Sequence, residues 1–253
     1  VSLHKVAAER ILRSRHLIAL TGAGISVESG IPDFRSPGGL WSKYDPMEFG
    51  HIESFRMNPN RVWKMLLEMD ELLLRANPNP AHFALADLEK RGVLKAVITQ
   101  NVDSLHQRAG SVNVIEFHGH NRSLRCDSCG KRFSRKEISL VTVPPCCHCG
   151  FPLRPEFVFF GENIPPTAHE EAMVAAESCD VMLIIGTSAT VVPASFLPKS
   201  AKRRGAFLLE INPCKTDLSY RMSDLHIEEP AGRALPAIIT ELDQLGSEEI
   251  KPC

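Results

Sequence analysis

Two groups of residues in this 253-residue chain have the types and spacing to do chemistry. The first lies in QNVDSLHQRAGSVNVIEFHGH: Gln100, Asn101 and Asp103, with His106 and Gln107 close behind and His118 after an apolar run. Amides, a carboxylate and imidazoles beside buried strand cost free energy unless a ligand or a partner satisfies them. An imidazole with a reference pKa near ~6.5 can hold or take a proton at neutral pH. The second group is Cys126-x2-Cys129 followed, sixteen residues on, by Cys146-x2-Cys149. Four thiolates at that spacing specify a closed zinc site, which holds a fold together and leaves no position for reacting water. Cys147 and His148 lie inside the second knuckle as rival ligands, and the matched x2 spacing favours Cys146.

A third feature is HLIALTGAGIS, which puts Gly22, Ala23 and Gly24 where a strand turns into a helix. Such a turn brings backbone N–H groups up to a pyrophosphate, and it is equally compatible with a plain tight turn. The dehydrogenase fingerprint G-x-G-x-x-G fails, because Val27 holds the third glycine place, so ordinary hydride transfer is disfavoured. Asp33, Phe34 and Arg35 follow on a loop, where a guanidinium can pair with an anion and a phenyl ring can cover a sugar.

The elements that must position these residues can be read from periodicity. Helices are predicted over Lys5–Arg15, Asn60–Arg75 (with Asn58 as cap), Pro80–Gly92, Thr167–Cys179 and Pro230–Gly246, and over Pro193–Gly205 with an interruption at Pro198. Strands are predicted at His16–Leu20, Leu94–Asn101, Asn113–Gly119, Asp180–Ser188 and Ala206–Asn212, with Pro155–Glu162 extended. Strands alternating with helices imply an α/β fold with a doubly wound parallel sheet. The rhythm breaks twice. A large lobe of 1–37, 80–118 and 155–253 is therefore expected beside a small lobe of 38–79, helical, and 119–154, the zinc ribbon.

Composition excludes several classes. Hydrophobic residues at 43% and charged residues at 23% are ordinary for a globular chain, and the net charge of −1 gives no whole-protein grip on nucleic acid or an anionic membrane. No apolar run approaches the roughly 18 residues needed to span a bilayer, and the first residues, VSLHKVAAERILRSR, show no signal-peptide core. Eight cysteines in this length do not make a secreted disulfide scaffold, so a reducing compartment, most simply cytoplasm, is expected. A nucleic-acid-binding ribbon is the rival for residues 120–154. Its seven Arg and Lys face Asp127, Glu137 and four thiolates, and its only aromatic rings are Phe133 and Phe151, so direct nucleic-acid binding is disfavoured.

Taken in order, GAGIS, GIPDFRS, TQNVDSLH, EFHG, the paired CxxC motifs, FGE and GTS resemble the sirtuin family of Sir2-type NAD-dependent protein deacylases, across nearly the whole chain. The resemblance implies one catalytic domain over 1–253: a Rossmann-like sheet, a smaller zinc-binding lobe with one structural Zn²⁺, and NAD meeting an acyl-lysine protein or peptide between them. It implies that Gly22, Ala23 and Gly24 line the pyrophosphate and that Asp33, Phe34 and Arg35 cover the nicotinamide ribose. Gln100 would hold ribose hydroxyls, and Asn101 and Asp103 the nicotinamide pocket. Gly186, Thr187 and Ser188 would meet phosphate and ribose, Asn212 the adenosine ribose, and Ala231 the adenine end. His118 would be the base for a ribose hydroxyl as the acyl group passes from lysine to ADP-ribose and nicotinamide leaves. The metal ligands would be Cys126, Cys129, Cys146 and Cys149.

The peptide would add as a strand against Val158, Phe159, Phe160, Gly161 and Glu162 on one side and Val192 on the other. One departure bears on substrate choice. The branch of the family that removes acidic acyl groups carries Tyr-x-x-Arg where this chain has Leu66 and Met69, so succinyl and malonyl are disfavoured. The stripe of Trp63, Leu66, Leu67 and Leu74 also reads as ordinary packing of the small lobe. Two other functions stay open: mono-ADP-ribosyl transfer on the same fold, and a non-catalytic NAD or zinc-ribbon binding module. Asn101, Asp103 and His118 together favour deacylation.

Overall fold

Ser2 caps α1 (Leu3–Leu12) by accepting the Lys5 N–H, and Ala7, Ala8 and Ile11 form its buried stripe. β1 (Leu17–Thr21) is buried at all five positions and passes through Gly22 into a 3-10 segment, Ala23–Ser29. Three short helices, α2 (Leu40–Lys43), α3 (Pro46–Phe49) and α4 (Ile52–Met57), precede the long α5 (Pro59–Arg75). Asn58 caps α5 by accepting the Arg61 N–H, and Pro59 takes the first position, where no N–H is needed. Then come α6 (Pro80–Lys90), β2 (Leu94–Thr99), α7 (Leu105–Ala109), β3 (Val114–Glu116), β4 (Gly119–Cys126), β5 (Arg132–Ser134) and β6 (Leu153–Phe157). The chain closes with α8 (Pro166–Ser178), β7 (Val181–Ile185), α9 (Phe196–Arg203), β8 (Phe207–Ile211), α10 (Asp217–Arg221), β9 (Leu225–Ile227) and α11 (Ala231–Glu249). This computed structural model describes residues 2–33 and 39–249; Phe34, Arg35 and Cys253 lie outside them.

Six strands form one parallel sheet in the order β3-β2-β1-β7-β8-β9, and the order reverses between β1 and β7. Alternate residues of β1 serve two apolar clusters. Leu17 and Ala19 pack with α1, α6 and α11, while Ile18 and Leu20 pack with α8 and α9 on the other face. A parallel sheet covered on both faces needs such unbroken apolar strands. A second, antiparallel sheet, β5-β4-β6, has its own apolar cluster with α4 and α5, built around Phe55, Trp63, Leu66, Leu124, Leu153 and Phe159.

Several elements differ from the sequence expectation for physical reasons. α9 begins at Phe196, so Pro198 falls in its first turn and the helix is not interrupted. The extended stretch 155–162 breaks at Phe157, because β6 ends there and the Glu162 N–H turns back to the Phe159 carbonyl. Gly119, at φ +73°, pivots the chain from β3 into β4; a Cβ there would lie 2.2 Å from the Glu156 carbonyl oxygen. α10 and β9 are too short to carry a readable period. In the small lobe, Trp63 and Leu66 are buried as the packing reading expects, whereas Leu74 is 69% exposed.

Trp63 is 1% exposed and its Nε1–H donates to the Leu153 carbonyl at 2.8 Å, joining α5 to β6. Trp63→Phe keeps most of the apolar contact and leaves that carbonyl buried without its donor. A loss of about 1–3 kcal/mol is expected, read as a lower urea midpoint at unchanged slope.

Candidate active site at the carboxyl rim of the sheet

The turns after β1 and β7 pack directly on each other. The Gly22 N–H donates to the Ile185 carbonyl at 3.1 Å and the Gly24 N–H to the Gly186 carbonyl at 2.9 Å. A Cβ on Gly24 would sit 2.6 Å from the Gly186 Cα, and one on Gly186, at φ +60°, would sit 2.3 Å from the Ile25 nitrogen. Close approach of two backbones thus accounts for the glycines before any ligand is considered. Ala23 is half-buried beside them.

Gln100 and His118 are joined at the same rim. The Gln100 side-chain amide donates to Thr187 Oγ1 at 2.9 Å and to the Thr21 carbonyl at 3.3 Å. His118 Nδ1 lies 3.1 Å from the Gln100 carbonyl. A carbonyl only accepts, so Nδ1 carries the proton and Nε2 keeps its lone pair. Burial lowers the pKa of the ring from its ordinary value, against the raising effect of the Gln100 hydrogen bond.

Asn101 and Asp103 converge on Ser26, a residue that sequence reasoning did not single out. Asn101 Nδ2 donates to Ser26 Oγ at 3.2 Å and to the Gly22 carbonyl at 3.1 Å. The Ser26 hydroxyl donates to Asp103 Oδ2 at 2.7 Å, and the Leu105 N–H to Oδ1 at 2.9 Å. Burial raises the Asp103 pKa above the usual value, and the Leu105 and Ser26 hydrogen bonds oppose it. Ser26, Asn101 and Asp103 form the polar wall of a narrow cleft whose other wall is Ile31, Pro32, Met69, Leu72 and Leu73. Leu66 does not reach it; only Met69 of the Leu66/Met69 pair lines the cleft.

A buried polar ladder supports this rim. Thr21 Oγ1 donates to Thr99 Oγ1 at 2.9 Å, and the Asn101 N–H also donates to Thr99 Oγ1 at 3.1 Å. Having given its one proton to Thr99, the Thr21 hydroxyl accepts from His106 Nε2 at 2.9 Å. The His106 ring lies 4.9 Å from that of His82, and both side chains are fully or nearly fully buried. His106, Thr21, Thr99 and His82 have no role assigned from sequence, since a lone polar residue in an apolar strand (Thr21, Thr99) or on the buried side of a helix (His82, His106) makes no pattern.

The remaining expected residues fall around the same edge. Asn212 follows β8 and accepts the Cys214 N–H through Oδ1 at 3.5 Å, and Ala231 opens α11, where the Glu28 carboxylate accepts the Gly232 N–H at 2.7 Å. Ser188 Oγ lies 3.2 Å from Thr190 Oγ1, Asp33 is half-buried, and Val192 is 65% exposed. The Val158 N–H donates to the His118 carbonyl at 2.9 Å, and Phe160 pairs through its backbone with Gly50 and Ile52. Phe159 turns its ring into the small-lobe cluster, and its main chain is held by Glu162, whose Oε2 accepts the Phe159 N–H at 2.9 Å and whose N–H donates to the Phe159 carbonyl at 3.1 Å. Gly161, at φ +85°, lies against the His51 imidazole.

The sulfur atoms of Cys126, Cys129, Cys147 and Cys149 lie within 4.8 Å of one another. The pairs 126/149 and 129/147 are 3.5 Å apart, and 129/149 are 3.6 Å apart. These separations are far too long for disulfides, and they approach the ~3.8 Å edge of a tetrahedron with Zn–S bonds of about 2.3 Å. The four thiols fit a structural zinc. The expectation of Cys146 is corrected to Cys147. The second knuckle closes one residue tighter than the first, with the Cys147 N–H on the Phe151 carbonyl and the Gly150 N–H on the Cys147 carbonyl. Neighbouring residues on extended backbone face opposite ways, so Cys146, bridged to Pro152, is turned out to solvent, while Cys147 is 5% exposed.

A strand order that reverses beside two interlocked glycine turns, with amide, carboxylate and imidazole groups at the same rim, defines a Rossmann-type α/β enzyme with a small four-cysteine lobe. The chain belongs to the Sir2 family, whose family model matches residues 22–193. It is 45% identical over 230 residues to NAD-dependent protein deacylase 1 of Archaeoglobus fulgidus, covering 90% of this chain and 94% of that one. Among solved structures it is similar to a mutant Sir2 homologue in complex with ADP-ribose, with a TM-score of 0.92, 42% identity and coverage of 98% and 99% of the two chains. It is also similar to a Sir2–p53 peptide–NAD⁺ complex, with a TM-score of 0.86, 35% identity and coverage of 96% and 98%. Among the described residues, no helix is long and apolar enough to cross a membrane.

Cys147→Ala is expected to lose the metal and Cys146→Ala to keep one per chain, measured by elemental analysis of purified protein. A second expectation concerns pH. Burial pushes His82 down to about 4 and His106 down to about 3 from an ordinary 6.5. Unfolding restores ordinary proton affinity, so the stability that depends on neutral rings is complete above 6.5 and is lost progressively as pH falls toward the two lowered values. Denaturation midpoints should fall over that window, and His106→Asn should reduce the slope by up to about one proton.

Proposed function

We propose that this chain is an NAD-dependent protein lysine deacetylase or deacylase that transfers the acyl group from lysine to ADP-ribose with release of nicotinamide. The observation that carries the reading is the fixed imidazole of His118 at the rim that also holds Asn101, Asp103 and the interlocked glycine turns. NAD, when bound, supplies an electrophilic ribose carbon, nicotinamide as the leaving group and hydroxyls that receive the acyl group.

In this reading the backbone of Gly22, Ala23 and Gly24, with Gly186, Thr187 and Ser188, cradles the phosphates, and Asn212 and Ala231 hold the adenosine end. Gln100 is oriented toward ribose hydroxyls by Thr187, and Asp33 stands next to Ile31 and Pro32 of the cleft wall; Phe34 and Arg35, expected to share its part, lie outside the described residues. Asp103, braced by Ser26 and the Leu105 N–H, presents an acceptor to a carboxamide, and Asn101 fixes the same wall. Nε2 of His118 takes the hydroxyl proton. Its lowered pKa keeps the ring neutral and competent at physiological pH. Val158, Phe159, Phe160, Gly161 and Glu162 receive the peptide backbone with Val192 opposite, which favours broad sequence tolerance. The large lobe of 1–37, 80–118 and 155–253 carries the nucleotide and the small lobe of 38–79 and 119–154 braces it. The cleft wall of Ile31, Pro32, Met69, Leu72 and Leu73 suits a neutral acyl group rather than a dicarboxylic one. Acyl-lysine proteins of the cytoplasm are the proposed partners, and neither a membrane nor nucleic acid has a part.

The test is incubation with NAD and an acetyl-lysine peptide, followed by mass spectrometry. O-acetyl-ADP-ribose is the expected product; peptide carrying ADP-ribose would instead make the chain a transferase, and unconsumed NAD would end the enzymatic reading. His118→Ala should lower kcat by roughly 10²–10⁴-fold with metal content unchanged. In the unsubstituted enzyme, kcat/KM should rise with pH through an apparent pKa below 6.5, as a neutral base requires.

A further inference from the structure

Arg154 is the least exposed charged side chain of the small lobe, at 2%. Its guanidinium grips Glu162 with two parallel hydrogen bonds, Nη1 to Oε1 at 2.6 Å and Nη2 to Oε2 at 2.7 Å. Nη2 also donates to the Phe157 carbonyl at 2.9 Å and Nε to the Pro155 carbonyl at 3.3 Å, while the Phe159 ring lies 4.9 Å from Cζ. The Phe159 N–H returns to Glu162 Oε2 at 2.9 Å. One side chain therefore ties together both ends of the 157–162 segment. Its last ion pair, at 3.5 Å, is with Asp127, which sits in the first cysteine knuckle between Cys126 and Cys129. Arg125 completes a compensated set of two cations and two anions, 3.0 Å from Asp127 and 3.7 Å from Glu162.

Both carboxylate oxygens of Glu162 are thus committed inside the protein. We propose that Arg154 is a positioning residue for the acyl-peptide, clamping residues 157–162 into their receptive conformation and tying that conformation to the metal knuckle through Asp127. The inference rests on the reading of 158–162 as the peptide-binding segment. A fork of two parallel bonds to a carboxylate fixes orientation as well as distance, which a lysine cannot reproduce. A buried guanidinium left without Glu162, or the reverse, would reorganise to regain a partner, and the segment would move with it. The Glu162 carboxylate acts through that clamp, and any contact of residue 162 with the peptide is left to its main chain.

The experiment compares Arg154→Lys, Glu162→Gln and Asp127→Asn with the unsubstituted enzyme. Steady-state kinetics are run with acetyl-lysine peptide and with NAD, beside NAD titration calorimetry, metal analysis and hydrogen exchange of the 157–162 amides. Arg154→Lys and Glu162→Gln should raise the peptide KM by roughly tenfold or more, with kcat and NAD affinity within about twofold, metal at one per chain and faster exchange confined to 157–162. Asp127→Asn should move the same readouts less. A fall in thermal stability with unchanged peptide KM, or equal weakening toward both substrates, would overturn the clamp. If Arg154→Lys does not fold, Glu162→Gln breaks the same fork from its other side, and its side chain keeps the size and shape of the original. Failure of the unsubstituted enzyme to bind acetyl-lysine peptide would instead strike the proposed function, and the clamp's role in catalysis with it.

Discussion

The contact between the turns after β1 and β7 sets the position of everything else at the rim. Two backbones approach so closely at Gly24 and Gly186 that neither can carry a side chain, and two N–H groups stitch the turns together. That contact fixes Thr187, which orients the Gln100 amide; the Gln100 carbonyl in turn orients the His118 ring. The same turn presents the Gly22 carbonyl to Asn101. A shift at the glycines would propagate through each of these bonds, because each depends on a narrow range of distance and angle.

The polar groups that look costly in the sequence are largely satisfied by one another. Ser26 serves both Asn101 and Asp103, and Thr99 serves both Thr21 and the Asn101 backbone. Such networks are stiff, since a buried group that loses its partner is left with the full cost of desolvation. The small lobe repeats the strategy with ions. Asp70, 4% exposed, takes two bonds from Arg135 and one from Asn121, joining α5 to the ribbon. A cysteine lobe too small for a large core is thereby fastened from its helical side as well as by its metal.

Much of this was legible in the chain. Unbroken apolar runs at Leu17–Leu20 and Val181–Ile185, too short for buried helices, read as strands covered on both faces, and the glycine stop signals bounded the helices between them. The motifs at Gln100–Asp103 and His118 pointed to one rim because parallel strands put their carboxyl ends on one side. What was hidden is informative. Ser26, Thr21 and Arg154 do their work through partners 77, 78 and 8 residues away, and no local pattern encodes such pairing. Cys146 and Cys147 are chain neighbours that face opposite ways, and only Cys147 brings its sulfur to the other three, which spacing alone does not show.

The hydrogen bond from Nδ1 of His118 to a main-chain oxygen gives the imidazole a polarity. Flipping the ring would set a lone pair against the Gln100 oxygen or trade a nitrogen for a carbon, so the open nitrogen always faces the same way. Charge gained there is shared with a dipole already aligned to receive it, while the surrounding burial works against keeping it. A proton picked up at this position is consequently held less firmly than by an imidazole in water, on a nitrogen whose direction the strand beneath it fixes.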